Sequence, residues 1–341
     1  MILKYKSFNL PFQFPFTISK GTKTHQPTLV LSLQLGNWIG YGEAPAINYY
    51  NISVEKMISD LESKRNMVEK FAFTSPDRYW HYLHHLFPNN PFLVCALDMA
   101  SWDLYGKMQK KSLKDLISKN YNNQIQTDYT IGIDSIDKMI HKVKDKPWPI
   151  YKIKVGFEND IQIVKEICNN TNAIIRVDAN AGWTVNEAIS KIKELSLLNV
   201  ELVEQPIDKD DWEGMKYLFQ HSPLPLIADE SCVSESDVEK CINHFHGINI
   251  KLTKCSGITP ALKMIEQARK NNLKVMMGCM NESSIGSAAI AHFIPQLDYV
   301  DMDGPLLLKE DLASGIHFDF GNVLVNNSPG LGIQILENSQ F

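Results

Sequence analysis

Five short apolar segments between Ile150 and Lys254 each run into charge. They are Tyr151-Lys152-Ile153-Lys154, Ile175-Arg176-Val177-Asp178-Ala179-Asn180, Leu202-Val203-Glu204-Gln205, Leu226-Ile227-Ala228-Asp229-Glu230 and Ile248-Asn249-Ile250-Lys251. Such runs read as buried strands, and a charge late in each sits at its carboxyl end. In a barrel of parallel strands those ends open onto one face, where active sites form. Asp178, Glu204 and Asp229 would converge there with no thiolate or imidazole among them. That donor set suits a hard divalent cation, Mg2+ before Zn2+. The bland alternative is that the carboxylates only form salt bridges with Lys152, Lys154 and Lys251.

The lysines carry chemistry of their own. An ammonium cannot take a proton, so a lysine base needs a lowered pKa, which nearby positive charge provides. Lys152 and Lys154 share a strand face by alternation. Lys154, with Lys152 and a metal close by, is therefore the base candidate. Lys251 would stand on the opposite side of the barrel mouth. A substrate between the two lysines loses a proton on one face and regains one on the other, which inverts a stereocentre. A lysine base paired with Mg2+ suits an ene-diolate. Asp301-Met302-Asp303 adds two carboxylates on one face, suited to an ammonium; the alternative there is a solvated acidic turn before Gly304-Pro305. Glu282, in Gly278-Cys279-Met280-Asn281-Glu282-Ser283, either tunes Lys251 or Glu204 or caps the following helix.

Eight candidate strands can position these groups: 127–133, 150–156, 173–180, 200–205, 225–230, 247–253, 273–279 and 297–303. Amphipathic segments separate most of them, with caps such as Thr184 ahead of Glu187 and Ser234 ahead of Asp237. Eight strands in this alternation close a (β/α) barrel. An open doubly wound sheet lacks its G-x-G-x-x-G fingerprint here. Residues before the barrel read differently. Strands are expected at 2–9 and 28–42, with Gly36-Asn37 as a hairpin turn, and Thr17–Thr24 between them reads as a mobile loop. Helices follow at 54–71, capped by Ser53, from Ser75-Pro76-Asp77, and at 92–109. Glu43 is either a site residue or a solvated strand end. His81, His84 and His85 read as a polar helix face. After the last barrel strand, 316–320 and 322–326 are strand-like and should return to the N-terminal unit.

Composition narrows the function classes. The 341 residues carry a net charge of −5 and no broad basic field, which argues against nucleic acid as a partner. The longest uncharged apolar stretch, near 285–297, is too short to span a bilayer, and the N-terminus has no signal-peptide core. Six cysteines form no C-x-x-C pair, so they read as buried thiols in a reducing, cytoplasmic setting.

Taken together, Lys152-Ile153-Lys154, Asp178-Ala179-Asn180, Val203-Glu204-Gln205-Pro206, Ala228-Asp229-Glu230-Ser231 and Asn249-Ile250-Lys251-Leu252 resemble the enolase superfamily, in its muconate-lactonizing subgroup. The resemblance implies a (β/α)7β TIM-like barrel over 123–309. It also implies an α+β capping domain from 1–122, to which 310–341 returns. Asp301-Met302-Asp303 and Gly278–Ser283 look like the dipeptide epimerases. That resemblance assigns Mg2+ to Asp178, Glu204 and Asp229, acid/base work to Lys154 and Lys251, and the substrate's α-ammonium to Asp301 and Asp303. Lys152, Thr130, Glu282, Gly21 and Lys20 join the expected substrate-binding residues. Epimerases acting on Ala-Glu carry a capping-loop arginine where Gly21 aligns, so a dipeptide with a neutral or apolar second residue is expected as readily. The expected partner is a dipeptide, with no nucleic acid or membrane, in a homo-oligomer. Rivals are a cycloisomerase, an o-succinylbenzoate synthase or an N-acylamino-acid racemase, whose substrates lack a free ammonium. A non-catalytic binding barrel is the rival from another class.

Overall fold

The computed structural model describes residues 1–18, 21–118, 124–156 and 159–340. It begins with an antiparallel meander of β1 (Ile2–Ile18), β2 (Gly21–Leu35) and β3 (Trp38–Pro45). Where a mobile loop is expected, the described residues instead pair as backbone, Thr17 opposite Thr22 and Ile18 opposite Gly21. Thr17, Ile18, Thr22 and Thr24 are β-branched and suit a pleated strand despite their low apolar content.

Helices α1 (Val54–Ser63), α2 (Arg65–Lys70), α3 (Pro76–Leu86), α4 (Pro91–Gln109) and α5 (Leu113–Ile117) follow. The single helix expected over 54–71 is broken at Lys64, which leaves helical geometry at φ −129°. Its ammonium donates instead to the carbonyl of Leu86 on α3. Leu29, Leu31 and Leu33 of β2 bury one face with Met57, Leu83, Phe92 and Leu97. Helix α4 lies directly against β3 because Gly40 and Gly42 have no side chains. A Cβ on Gly42 would meet the Ala96 carbonyl oxygen at 2.0 Å.

The barrel strands are β4 (Tyr129–Ile131), β5 (Ile150–Lys154), β6 (Ile174–Asp178), β7 (Val200–Glu204), β8 (Leu226–Ala228), β9 (Gly247–Ile250), β10 (Lys274–Gly278) and β11 (Tyr299–Asp301). They pair in sequence order and in parallel. The first and last are joined by a parallel bridge between Thr127 and Val300. Helices between them include α6 (Ile136–Asp145), α7 (Asp160–Asn170), α8 (Val185–Leu195), α9 (Trp212–His221), α10 (Val238–Cys241), α11 (Leu252–Cys255), α12 (Ile258–Lys270) and α13 (Ser284–Ala291). Thr184 and Glu187 form the expected capping box, as do Ser234 and Asp237. Alternation sorts the strand residues. Val177, Val203, Ala228 and Ile250 face the helices, while Leu202, Ile227 and Met276 fill the barrel floor with Tyr299 against them.

The tail binds back along the N-terminal unit. Lys309 N donates to Pro11 O at 2.8 Å, and Leu331 N to Asp103 Oδ1 on α4 at 2.8 Å. Among the described residues no helix is long and apolar enough to cross a membrane.

Candidate active site

Inward-facing residues above the apolar floor are almost all charged. Pairing between strands sets Lys154 opposite Asp178, and Asp178 opposite Glu204. Above them opens a cavity of about 260 Å3, lined from the barrel by Thr130, Lys154, Asp229, Lys251, Asp301 and Asp303. The capping unit supplies the opposite wall, including Phe16, Ile18, Gly21, Lys23, Ile47 and Tyr50. Strands β5 and β9 are four places apart in the eight-stranded order. The two lysines therefore face one another across the mouth.

The charges are paired in three groups. Lys152 Nζ lies 2.7 Å from Glu204 Oε2, 2.7 Å from Asp301 Oδ2 and 3.2 Å from Asp178 Oδ2. Lys154 Nζ donates to Asp178 Oδ2 at 2.6 Å. Across the mouth, Lys251 Nζ donates to Asp229 Oδ2 at 2.8 Å, while Lys254 grips Asp229 Oδ1 and the Asp229 carbonyl. Burial pushes both Lys152 and Lys251 toward neutrality. Facing carboxylates outweigh it (Asp301, Glu204 and Asp178 for Lys152, and Asp229 for Lys251), holding both ammonium groups well above their usual range. Asp229 is the converse: burial raises its pKa, and Lys251 and Lys254 bring it well below the usual carboxylate value.

Negative charge is not fully offset. Burial, then Asp178, pushes Glu204 up to about 7. Its Oε2 meets Lys152 as an ion pair but accepts no aligned hydrogen bond, and the neighbouring Asn249 Oδ1 has none either. Burial and then Asp301 push Asp303 up to about 7 as well. Its Oδ2 accepts from Thr130 N at 2.6 Å.

Asp178, Glu204 and Asp229 thus offer only oxygen donors and are at most 2% exposed, and with Asp301 and Asp303 they set five carboxylates against the four ammonium groups of Lys152, Lys154, Lys251 and Lys254. A hard dication fits that set, with the lysine contacts exchanged for metal contacts. Among the described residues the tightest convergence of ligand-type atoms is different: Cys279, Asp301 and Asp303, within 4.8 Å of one another. A thiol whose pKa burial raises well above normal is a poor Mg2+ donor. The two carboxylates beside it are better matched to an organic cation.

The structure divides the expected site residues. Lys154, Lys251, Asp229, Asp301, Asp303, Thr130 and Gly21 share the cavity. Asp178 and Glu204 do not line it but are fully buried against Lys152, and Asp178 also touches Lys154. Lys152, expected to touch substrate, is 1% exposed and is the hub that holds three carboxylates in place. Glu282 turns back to accept from Met280 N at 2.6 Å, inside its own loop. Lys20 lies outside the described residues. Glu43 is neither a site residue nor solvated: it is fully buried and accepts from Ser283 N, Ser283 Oγ, Gly286 N and Thr28 Oγ1. Sequence reasoning missed Lys254, Asn249 and the buried pair of Arg176 with Asp128, 2.9 Å apart. Alternation carried a usable signal for two of them, since Arg176 and Asn249 stand two residues before Asp178 and Lys251 and share their faces.

Comparison with known proteins agrees with this geometry. A family model described as enolase C-terminal domain-like matches residues 136–339. An L-Ala-D/L-amino acid epimerase from Flavobacterium johnsoniae is 50% identical over 336 residues, covering 98% of this chain and 100% of that protein. The substrate-liganded L-Ala-D/L-Glu epimerase from Bacillus subtilis superposes with a TM-score of 0.93 at 28% identity, covering 98% of each chain. The dipeptide epimerase from Cytophaga hutchinsonii, complexed with Mg and D-Ala-L-Val, superposes with a TM-score of 0.90 at 27% identity, covering 99% of this chain and 97% of that one. The chain belongs to the enolase C-terminal domain-like family.

Proposed function

We propose that the protein epimerises a dipeptide at the α-carbon of its C-terminal residue in a Mg2+-dependent reaction. The observation that carries this reading is the opposition of Lys154 and Lys251 across one cavity that also exposes Asp301 and Asp303. Two bases on opposite faces suit inversion of a stereocentre, and two carboxylates suit an α-ammonium. Mg2+ held by Asp178, Glu204 and Asp229 would supply positive charge to the substrate carboxylate as it becomes an ene-diolate. Asp301 and Asp303 hold the ammonium and fix the dipeptide's direction. Lys154 and Lys251 then face the α-carbon from either side, one taking the proton and the other returning one. Phe16, Ile18, Ile47 and Tyr50 close the site from the cap and exclude water. Six free cysteines fit a cytoplasmic setting for this chemistry.

The named relatives support a dipeptide substrate, and Mg in the Cytophaga complex supports the metal. Succinylated or lactone substrates would leave Asp303 without a cationic partner and Asp301 with Lys152 alone. The test is incubation with a panel of L-Ala-L-X dipeptides and Mg2+ in D2O, with α-proton exchange followed by NMR. Exchange at the C-terminal α-carbon is expected; no exchange with any member removes the reading.

A further inference from the structure

Tyr50 stands at the cavity with its orientation already set. It ends the 3₁₀ turn Asn48–Tyr50, closed by Tyr50 N to Ile47 O at 3.0 Å and Asn51 N to Asn48 O at 2.9 Å. The turn leaves through Asn51 at φ 55°, a left-handed position that Asn tolerates. Upstream, buried Gln26 anchors the approach by donating to Ala46 O at 2.9 Å. The Tyr50 ring packs edge-on to Tyr49 with centroids 4.9 Å apart and tilted against Phe92 at 5.6 Å. Such contacts fix a ring with only two side-chain torsions.

Tyr50 lines the cavity with Asp229, Glu230 and Lys251, whose charges act on its phenol. Burial, and then the charge of Asp229, hold the phenol well above its ordinary range, so it remains a neutral donor. No described residue accepts a hydrogen bond from its hydroxyl. A dipeptide offers two kinds of acceptor, its carboxylate and its peptide carbonyl. The carboxylate is the one that belongs between Asp229 and Lys251, because the ammonium is drawn to Asp301 and Asp303.

We propose that the Tyr50 hydroxyl donates a hydrogen bond to the substrate's C-terminal carboxylate and is a further catalytic residue of this site. The inference rests on the epimerase reading above and adds a contact to it. As the α-proton leaves, negative charge builds on the carboxylate oxygens, and a fixed donor there gains strength in the transition state. The hydroxyl should therefore act on kcat more than on KM.

Tyr50→Phe removes one oxygen and keeps the ring packing. Steady-state epimerisation of the panel member that the wild type turns over fastest, with Mg2+, is the assay. A kcat loss of roughly ten- to a hundred-fold is expected, with KM changed much less, because a metal shares the load that an oxyanion donor otherwise carries alone. Melting temperature should be unchanged, which separates this role from a structural one. A kcat within about twofold of wild type overturns the proposal, since even a weak charge-assisted bond exceeds that. So does a kcat loss that only follows a fall in melting temperature. If the wild type exchanges no dipeptide of the panel, the epimerase reading and this role fall together; if it does and Tyr50→Phe matches it, only this role falls.

Discussion

Replacing Glu43 by Gln separates what the capping unit contributes to stability from what it contributes to the pocket. Glu43 Oε1 accepts from Thr28 Oγ1 at 3.0 Å and Ser283 N at 3.1 Å, and Oε2 from Ser283 Oγ at 2.6 Å and Gly286 N at 3.0 Å. The carboxylate therefore sits at the N-terminus of α13 and joins β3 to the loop carrying Cys279, Met280 and Asn281. Glutamine keeps the volume but turns one acceptor into a donor. The hydroxyls of Thr28 and Ser283 can rotate to accept from it. A backbone N–H cannot, so either Ser283 N or Gly286 N loses its acceptor. That costs ~1–3 kcal/mol, and losing the anion at the helix N-terminus adds up to about 1 kcal/mol. Against this, burial raises the Glu43 pKa, so the variant avoids burying a charge. The net loss is ~2 kcal/mol, or roughly 4 °C in melting temperature for a large domain. Differential scanning fluorimetry and steady-state kinetics check both consequences. Stability should fall and KM should rise more than kcat falls, because Cys279 and Asn281 line the cavity. A Glu43→Gln variant with wild-type melting temperature and KM would refute the reasoning.

Two further outcomes follow from the buried charges. Lys152→Met leaves Asp178, Glu204 and Asp301 without their shared cation, which should cost ~3–5 kcal/mol; added Mg2+ should raise its melting temperature more than that of the wild type, and equal responses would contradict the hub role. Burial pushes His292 down to about 4 from its ordinary 6.5, with neutral Nδ1 accepting from Lys114 N at 3.3 Å and Nε2 donating to Leu331 O at 3.2 Å. Because the folded pKa is the lower one, this stability is present above pH 6.5 and is lost as pH falls through about 4. The gap is worth ~3 kcal/mol at about 1.36 kcal/mol per pH unit. Chemical denaturation of His292→Gln should show a flatter acid limb over that window, and an unchanged limb would show that other groups set it.

The barrel was legible because its strands carry period-2 alternation that ends in charge. Each of the eight predicted ranges contains a strand of the structure. What the sequence hides is partnership between distant strands. Lys152 looks like a positive neighbour of Lys154, yet strand pairing puts it among three carboxylates. The sequence leaves Glu43 open between a site residue and a solvated strand end because its four donors come from residues about 15 and 240 positions away, a separation no local pattern encodes. Thr17 and Ile18 pair with Thr22 and Gly21 although threonine and lysine resemble loop composition, because β-branching favours a strand. Helix propensity alone runs through Lys64, where the backbone leaves helical geometry and the side chain bonds to Leu86.

The most direct test of the two-base arrangement is proton exchange in Lys154→Ala and Lys251→Ala, each presented in D2O with the L,L and the L,D epimer of a turned-over dipeptide. Two opposed lysines predict that neither variant interconverts the epimers, while each still exchanges the α-proton of one epimer, a different one in each variant. Wild-type interconversion in either variant would contradict the account.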